Sequence, residues 1–177
     1  MNTRDELGVI LFYLGSKMRI SELCLIFGCT PSRCSAIIKH QLHTLSRRLQ
    51  TNHHARIHWP STEEEKAYLA DLVYQRDRRN PVYDVIAFTD GVSLPVECPS
   101  DPISQATFYN GYHHDTMVNN VFCFALTGKI IYACIHYPGS WHDSHVATSL
   151  IAKVVDNLEN YKICVDRGFP RSGDLLN

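Results

Sequence analysis

The sequence has no apolar run close to the roughly 20 residues that a membrane-spanning helix needs. Its N-terminus carries acids at positions 5 and 6 and lacks a long apolar segment after a basic start, so it does not resemble a secretory signal. The net charge is only -1, and total charge therefore indicates no class of partner. We expect an intracellular protein without a membrane anchor.

Disulfide pairing is also poorly supported, although the chain has seven cysteines. An odd count, with several cysteines inside apolar stretches, favours reduced and buried thiols. The even spacing of Cys24, Cys29 and Cys34 is compatible with zinc binding. However, no Cys-x-x-Cys pair occurs and no histidine stands at zinc-finger spacing, so the sequence favours ordinary buried thiols.

Charge is unevenly distributed along the chain. Residues 1–60 contain eight Lys/Arg and three Asp/Glu, a balance of +5, whereas residues 61–177 contain nine and fifteen, a balance of -6. A basic segment joined to an acidic remainder is typical of a DNA-binding part beside a carboxylate-bearing site. A chance asymmetry of solvated surfaces is the alternative.

Residues 1–60 predict an all-helical, helix-turn-helix-like DNA-binding region. A first helix spans residues 7–17, and a second, capped by Ser21, ends at Gly28. Thr30 and Pro31 begin a third helix. Its predicted buried face has helical spacing and comprises Cys34, Ile37, Ile38, Leu42 and Leu45.

The other face of this third helix carries the candidate DNA contacts. Residues near the start of the second helix of such a motif reach base edges, and later basic residues touch phosphates. Arg33 is therefore the candidate for base contact, and Lys39, Arg47 and Arg48 are candidates for backbone contact. An ordinary helical hairpin with a solvated face is the alternative.

The remainder predicts a connecting helix, residues 61–80, and an α/β domain, residues 82–177. A capping box at Ser61–Glu64 begins the helix. Strands are predicted at residues 82–89, 118–126, 129–137 and 161–165, with a loop over 95–112, a hairpin turn at Thr127–Gly128 and a helix over 144–158. The order is β-β-β-α-β, and Asp90 and Asp166 each follow a strand.

This order matches a ribonuclease H-like mixed sheet, in which the first and fourth strands are neighbours. Asp90 and Asp166 would then face each other. Paired carboxylates suit phosphodiester chemistry with two Mg²⁺ ions about 4 Å apart. Asp143 is either a further ligand or the cap of a helix that begins at Ser144.

Four ordered segments resemble one family: residues 88–92 (FTDGV), 108–112 (FYNGY), 137–144 (YPGSWHDS) and 165–170 (VDRGFP). Together they resemble the DDE superfamily endonuclease domain of PIF/Harbinger-type transposases, in particular the versions common in fungi. The resemblance is strong over residues 84–176, and residues 27–33 are similar to the N-terminal segment of these proteins with less specificity.

The resemblance implies a nuclease that cleaves and transfers DNA strands with Mg²⁺ or Mn²⁺. By position, Asp90, Asp143 and Asp166 are the catalytic and metal-binding aspartates, and His142 orients them. Strand order favours Asp166 as the second member of the triad, with Asp143 open for the same role. The resemblance also implies DNA as partner and a nuclear location, and it is compatible with a separate DNA-binding partner protein and with an oligomer.

One departure from the family concerns its glutamate. That residue is expected on a helix some tens of residues beyond Asp166, whereas the sequence ends at Asn177. The expectation is therefore an incomplete and inactive endonuclease unless further residues follow. The alternative function is a non-catalytic DNA-binding protein or an inert remnant of a transposable element.

Overall fold

A computed structural model describes residues 3–16, 18–166 and 168–169. The chain divides into two compact units, Met1–Arg56 and Ile57–Asn177. In the described ranges, no helix is long and apolar enough to cross a membrane.

The described residues of the first unit form three helices: α1 (Thr3–Gly15), α2 (Ile20–Phe27) and α3 (Pro31–Gln50). They pack around a small core because each helix has a narrow apolar stripe. The buried residues of this core are Val9, Ile10, Leu23, Cys24, Cys34, Ile37 and Ile38.

The turn between α2 and α3 follows the sequence prediction. Gly28 ends α2 in the left-handed conformation, with φ of 60°. Thr30 caps α3, where its Oγ1 accepts a hydrogen bond from the Arg33 amide at 3.3 Å, and Pro31 is the first helical residue.

Two predictions in this unit were wrong. Arg19, not Ser21, is the N-cap of α2, because the Glu22 carboxylate accepts the Arg19 amide at 2.8 Å and starts the helix earlier. Leu42 was predicted to be buried but is 36% exposed. The cause is length, since α3 has 20 residues and the helices it packs against have 13 and eight.

The second unit is a mixed α/β structure. It comprises α4 (Glu63–Arg76), β1 (Val85–Pro95), α5 (Pro102–Phe108), β2 (Tyr109–Asn110), β3 (Asp115–Phe124), β4 (Ile130–Pro138), α6 (Asp143–Val146), α7 (Thr148–Asn157) and β5 (Lys162–Val165). The predicted hairpin is confirmed: Gly128 has φ of 82° and its amide donates to the Ala125 carbonyl at 2.9 Å.

Three local predictions in this unit are corrected. The capping box pairs Thr62 with Glu65, one residue later than predicted. Part of the predicted loop over 95–112 is helix α5, whose cap is Asp101. The single predicted helix over 144–158 is two helices, α6 and α7, which meet at Ala147.

The sheet places β1 in the middle, antiparallel to β3 and parallel to β5. Strand β4 pairs with the opposite side of β3, antiparallel, and short β2 also pairs with β3. The prediction that the first and last strands are neighbours is confirmed. The prediction that the first strand ends before Asp90 is wrong, because pairing with β3 continues as far as Pro95.

The core of this unit lies between the sheet and helices α4, α6 and α7. Central strands supply Ile86, Val121 and Cys123, and the helices supply Leu69 and Leu150. Burial of these side chains stabilises the sheet by about 1.5–3 kcal/mol for each large aliphatic residue. The strands that carry Asp90 and Asp166 are therefore fixed by the core.

Candidate active site

Asp90 lies in β1, and Asp166 directly follows β5, the strand that pairs with β1. In the parallel pairing of these strands Thr89 is opposite Val165, so each aspartate follows the last residue pair of this register. Adjacent strands are about 4.8 Å apart. Both residues are exposed, so the edge where the parallel pairing ends presents two carboxylates to solvent.

The turn after Asp166 is fixed by a buried aromatic residue. Phe169 is buried in the core of the second unit, and its amide donates to the Asp166 carbonyl at 3.1 Å. This anchor holds the backbone that follows β5, which limits how far Asp166 can move from β1.

Asp143 approaches the same edge from helix α6. Gly91, directly after Asp90, has no side chain, and a Cβ at that position would overlap Asp143 Oδ2 and lie 2.5 Å from its Cγ. The helix-capping alternative for Asp143 is wrong, because α6 begins at Asp143 itself and its N-cap is His142. The carboxylate of Asp143 instead lies against the backbone beside Asp90.

Electrostatics show that the three carboxylates interact. Burial raises the pKa of Asp143, and the negative charge of Asp90 raises it further. His142 opposes this shift, and Asp166 adds a smaller upward contribution to the pKa. A bound cation would favour the ionised form of Asp143, so this cluster of like charges fits a metal site.

The three aspartates are not drawn tightly together. Their oxygens do not form a group of three in which all lie within 4.8 Å of one another; within the described residues that criterion is met by three cysteines of the first unit. Binding of one ion by all three carboxylates would need side-chain rotation. The three carboxylates would supply oxygen ligands of the kind that divalent ions such as Mg²⁺ prefer.

A buried asparagine that sequence reasoning missed ties these elements together. Asn119 of β3 is 3% exposed. Its Oδ1 accepts a hydrogen bond from Ser93 Oγ of β1 at 2.8 Å. Its Nδ2 donates to the carbonyls of Trp141, at 2.6 Å, and Gly139, at 3.3 Å. The loop that leads into Asp143 is thus held against β1.

Two further contacts hold this loop. Asn110 Nδ2 also donates to the Gly139 carbonyl, at 2.9 Å. A Cβ at Gly139 would collide with the carbonyls of Phe108 and Met117, so the close packing requires glycine there.

A second asparagine on β3 bridges both neighbouring strands. Asn120 donates to the Val92 carbonyl at 3.1 Å and accepts the His136 amide at 3.0 Å. Adjacent asparagines inside the apolar run 117–124 were the sequence signal, because buried amides need such partners.

A cleft of about 790 Å³ adjoins the aspartates through Asp143. Residues of β1 after Asp90, residues 109–113 and the loop 139–142 form its walls. Tyr112, which lines the cleft, is 88% exposed, and its ring contacts that of His113 edge to face, with centroids 5.1 Å apart. Asp90 and Asp166 do not line the cleft, so the carboxylates stand at its end.

The predicted DNA-binding residues lie in the first unit. Arg33 is paired with Glu6, with Nη2 and Oε1 3.3 Å apart, and its side chain remains 58% exposed. Lys39 is exposed. Arg47 and Arg48 line a groove on α3 together with His40 and His43.

Comparison with known proteins gives one family match, and it covers the candidate site. Residues 89–176 match the DDE superfamily endonuclease family. The matched segment begins one residue before Asp90 and includes Asp143 and Asp166. A DDE endonuclease domain suggests a transposase-type nuclease, implies DNA as substrate, and typically uses divalent metal ions. No curated protein and no solved structure gave a significant match.

Proposed function

We propose that the second unit is a DDE endonuclease of the PIF/Harbinger transposase type, in its fungal form, that uses Asp90, Asp143 and Asp166 to hold Mg²⁺ or Mn²⁺ at a DNA phosphodiester. The observation that carries the proposal is the contact of the Asp143 carboxylate with Gly91, beside Asp90 and one strand from Asp166. The strand order, with β1 between antiparallel β3 and parallel β5, supports a ribonuclease H-like fold.

Each aspartate has its own role in this proposal. Asp90 and Asp166 stand on the rigid sheet and set the spacing of the ligands. Asp143 enters from α6, and a neighbouring cation would offset the burial and the negative charge of Asp90 that raise its pKa. When bound, the divalent ions supply Lewis acidity at the phosphate and activate the attacking oxygen.

DNA would lie along the cleft beside Asp143. In this proposal Tyr112 and the neighbouring His113, which line the cleft, contact unpaired bases, and backbone N–H groups of the loop 139–142 contact phosphates. His142, directly before Asp143, lowers the pKa of that aspartate and so favours its ionised form. This supports the orienting role that the family resemblance implies for it.

We propose that the first unit binds DNA through α3. Arg47 and Arg48 share a groove with two histidines, a composition suited to phosphate contact. Arg33 is half exposed at the start of α3, where its ion pair with Glu6 would have to open for base contact. DNA as substrate leads us to propose a nuclear location for the protein.

The test is Mn²⁺ binding to the full chain by calorimetry, with nicking of supercoiled plasmid as the second readout. Asp90→Asn should weaken Mn²⁺ binding at least about tenfold, since one ligand and its charge are lost. Asp156→Asn, an exposed acid on α7, is the matched control and should bind like the wild type. Equal Mn²⁺ affinity in both variants would refute the assignment of the site.

A further inference from the structure

Three cysteines of the first unit converge in the turn between α2 and α3. The sulfur atoms of Cys24, Cys29 and Cys34 all lie within 4.8 Å of one another. The sequence spacing argued against a metal site, because no two of these residues form a close pair. The fold supplies the proximity instead, by reversing the chain at Gly28.

Backbone hydrogen bonds fix all three positions. The Cys29 amide donates to the Cys24 carbonyl at 3.1 Å, which is the bond that closes the end of α2. The Cys34 amide donates to the Thr30 carbonyl at 2.9 Å in the first turn of α3.

We propose that Cys24, Cys29 and Cys34 bind one thiophilic metal ion, with Zn²⁺ as the expected occupant, and that this ion pins the turn between α2 and α3. Zinc–sulfur bonds of about 2.3 Å in a tetrahedral site place the sulfurs about 3.8 Å apart. Small side-chain rotations reach that spacing from the present one. Three thiolates leave one coordination position for water or an external ligand.

The positions of the cysteines along the chain suit a site at this turn. Cys34 lies in the first turns of α3 and Cys29 directly precedes its N-cap, Thr30. Cys29 is half-buried, which leaves a path for an ion to enter.

The size of the first unit gives a reason for a metal. Its core contains seven buried residues, and several large apolar side chains on α1 and α2 remain exposed, including Leu11 and Leu25. Units of this size rarely obtain enough stability from apolar burial alone, and a structural ion is one common supplement.

The experiment is a Co²⁺ titration of the full chain after reduction and removal of metal. We expect one equivalent of Co²⁺ to give the visible bands of a tetrahedral site and thiolate charge-transfer absorption, both displaced by Zn²⁺. Cys29→Ser and Cys34→Ser should lose at least tenfold in affinity. Cys98→Ser, which removes an exposed thiol of the second unit, should match the wild type.

Two readouts keep the test decisive. Asp90→Asn should leave the thiolate absorption unchanged, which separates this site from the carboxylates. In the wild-type chain, Zn²⁺ should protect Cys24, Cys29 and Cys34 from alkylation and leave Cys98 reactive, a result independent of whether a variant folds. Absent thiolate bands, or bands retained in Cys34→Ser, would each overturn the proposal.

Discussion

Replacement of Gly91 by alanine should disable the proposed metal site without touching a metal ligand. The new Cβ would overlap Asp143 Oδ2, and it would lie 2.5 Å from Cγ and 2.8 Å from Oδ1. Ordinary contact begins near 3.4 Å, so the carboxylate must move by about 1 Å. A displacement of that size lowers the rate of a reaction that depends on positioning roughly a hundredfold, which corresponds to about 2.7 kcal/mol of activation free energy.

The assay is Mn²⁺ binding by calorimetry, followed by plasmid nicking. For Gly91→Ala we expect at least tenfold weaker Mn²⁺ binding. The free energy of unfolding should change by less than about 1 kcal/mol, because half-buried Asp143 can turn towards the cleft. Gly111→Ala is the matched control, since a Cβ at that wall of the cleft meets no atom within 4 Å.

Equal Mn²⁺ affinity in Gly91→Ala and Gly111→Ala would refute this prediction. A crystal structure of Gly91→Ala with the Asp143 carboxylate in its original position would refute it as well.

Three more predictions concern stability and DNA affinity. Because the pKa of Asp143 is raised in the folded state, its contribution to stability is present below the unfolded value of 3.8 and is lost as pH rises through the folded pKa. Without metal, Asp143→Asn should therefore raise the melting temperature at pH 7 and leave it unchanged near pH 3. Asn119→Ala should lower the free energy of unfolding by about 2–4 kcal/mol in urea denaturation. The variant leaves the Ser93 hydroxyl and the Trp141 carbonyl without their hydrogen bonds to Asn119. The double variant Arg47→Ala, Arg48→Ala should lose two phosphate contacts. The slope of log affinity for DNA against log salt concentration should therefore fall by nearly two, measured by fluorescence anisotropy.

Each of these predictions has a contradicting result. Mn²⁺ should stabilise the wild type more than Asp143→Asn, and the opposite order would exclude Asp143 as a ligand. Asn157→Ala is the control for Asn119→Ala, because it removes an exposed amide that is bonded within α7. It should lower the free energy of unfolding by less than about 0.5 kcal/mol. An equal loss of stability in both asparagine variants would refute the role of the Asn119 hydrogen bonds. An unchanged salt slope in the double arginine variant would remove α3 from the DNA interface.

The sequence predicted the parts of this molecule that depend on local rules. Thr30, Pro31 and Gly28 specify helix ends through capping and glycine geometry, and those ends are where they were expected. The neighbouring positions of β1 and β5 followed from element order, because few topologies accommodate that order.

The remaining features depend on distant contacts. Asp90 lies within a strand because β3 pairs beyond it, which no local pattern near Asp90 encodes. The contact between Asp143 and Gly91 joins residues 52 positions apart. The local Asp90-Gly91 pair is typical of a turn and gives no indication of this contact. The proximity of Cys24, Cys29 and Cys34 also depends on the fold, since their sulfur atoms meet only when α2 and α3 fold back on each other.

The central claim is that Asp90 and Asp166 share a divalent cation with Asp143 alongside. The most direct measurement is anomalous scattering at the manganese edge from crystals soaked in Mn²⁺. We predict a peak at the end of the β1–β5 pairing, within about 2.6 Å of carboxylate oxygens of both Asp90 and Asp166. A manganese peak elsewhere, with none at this edge, would contradict the account.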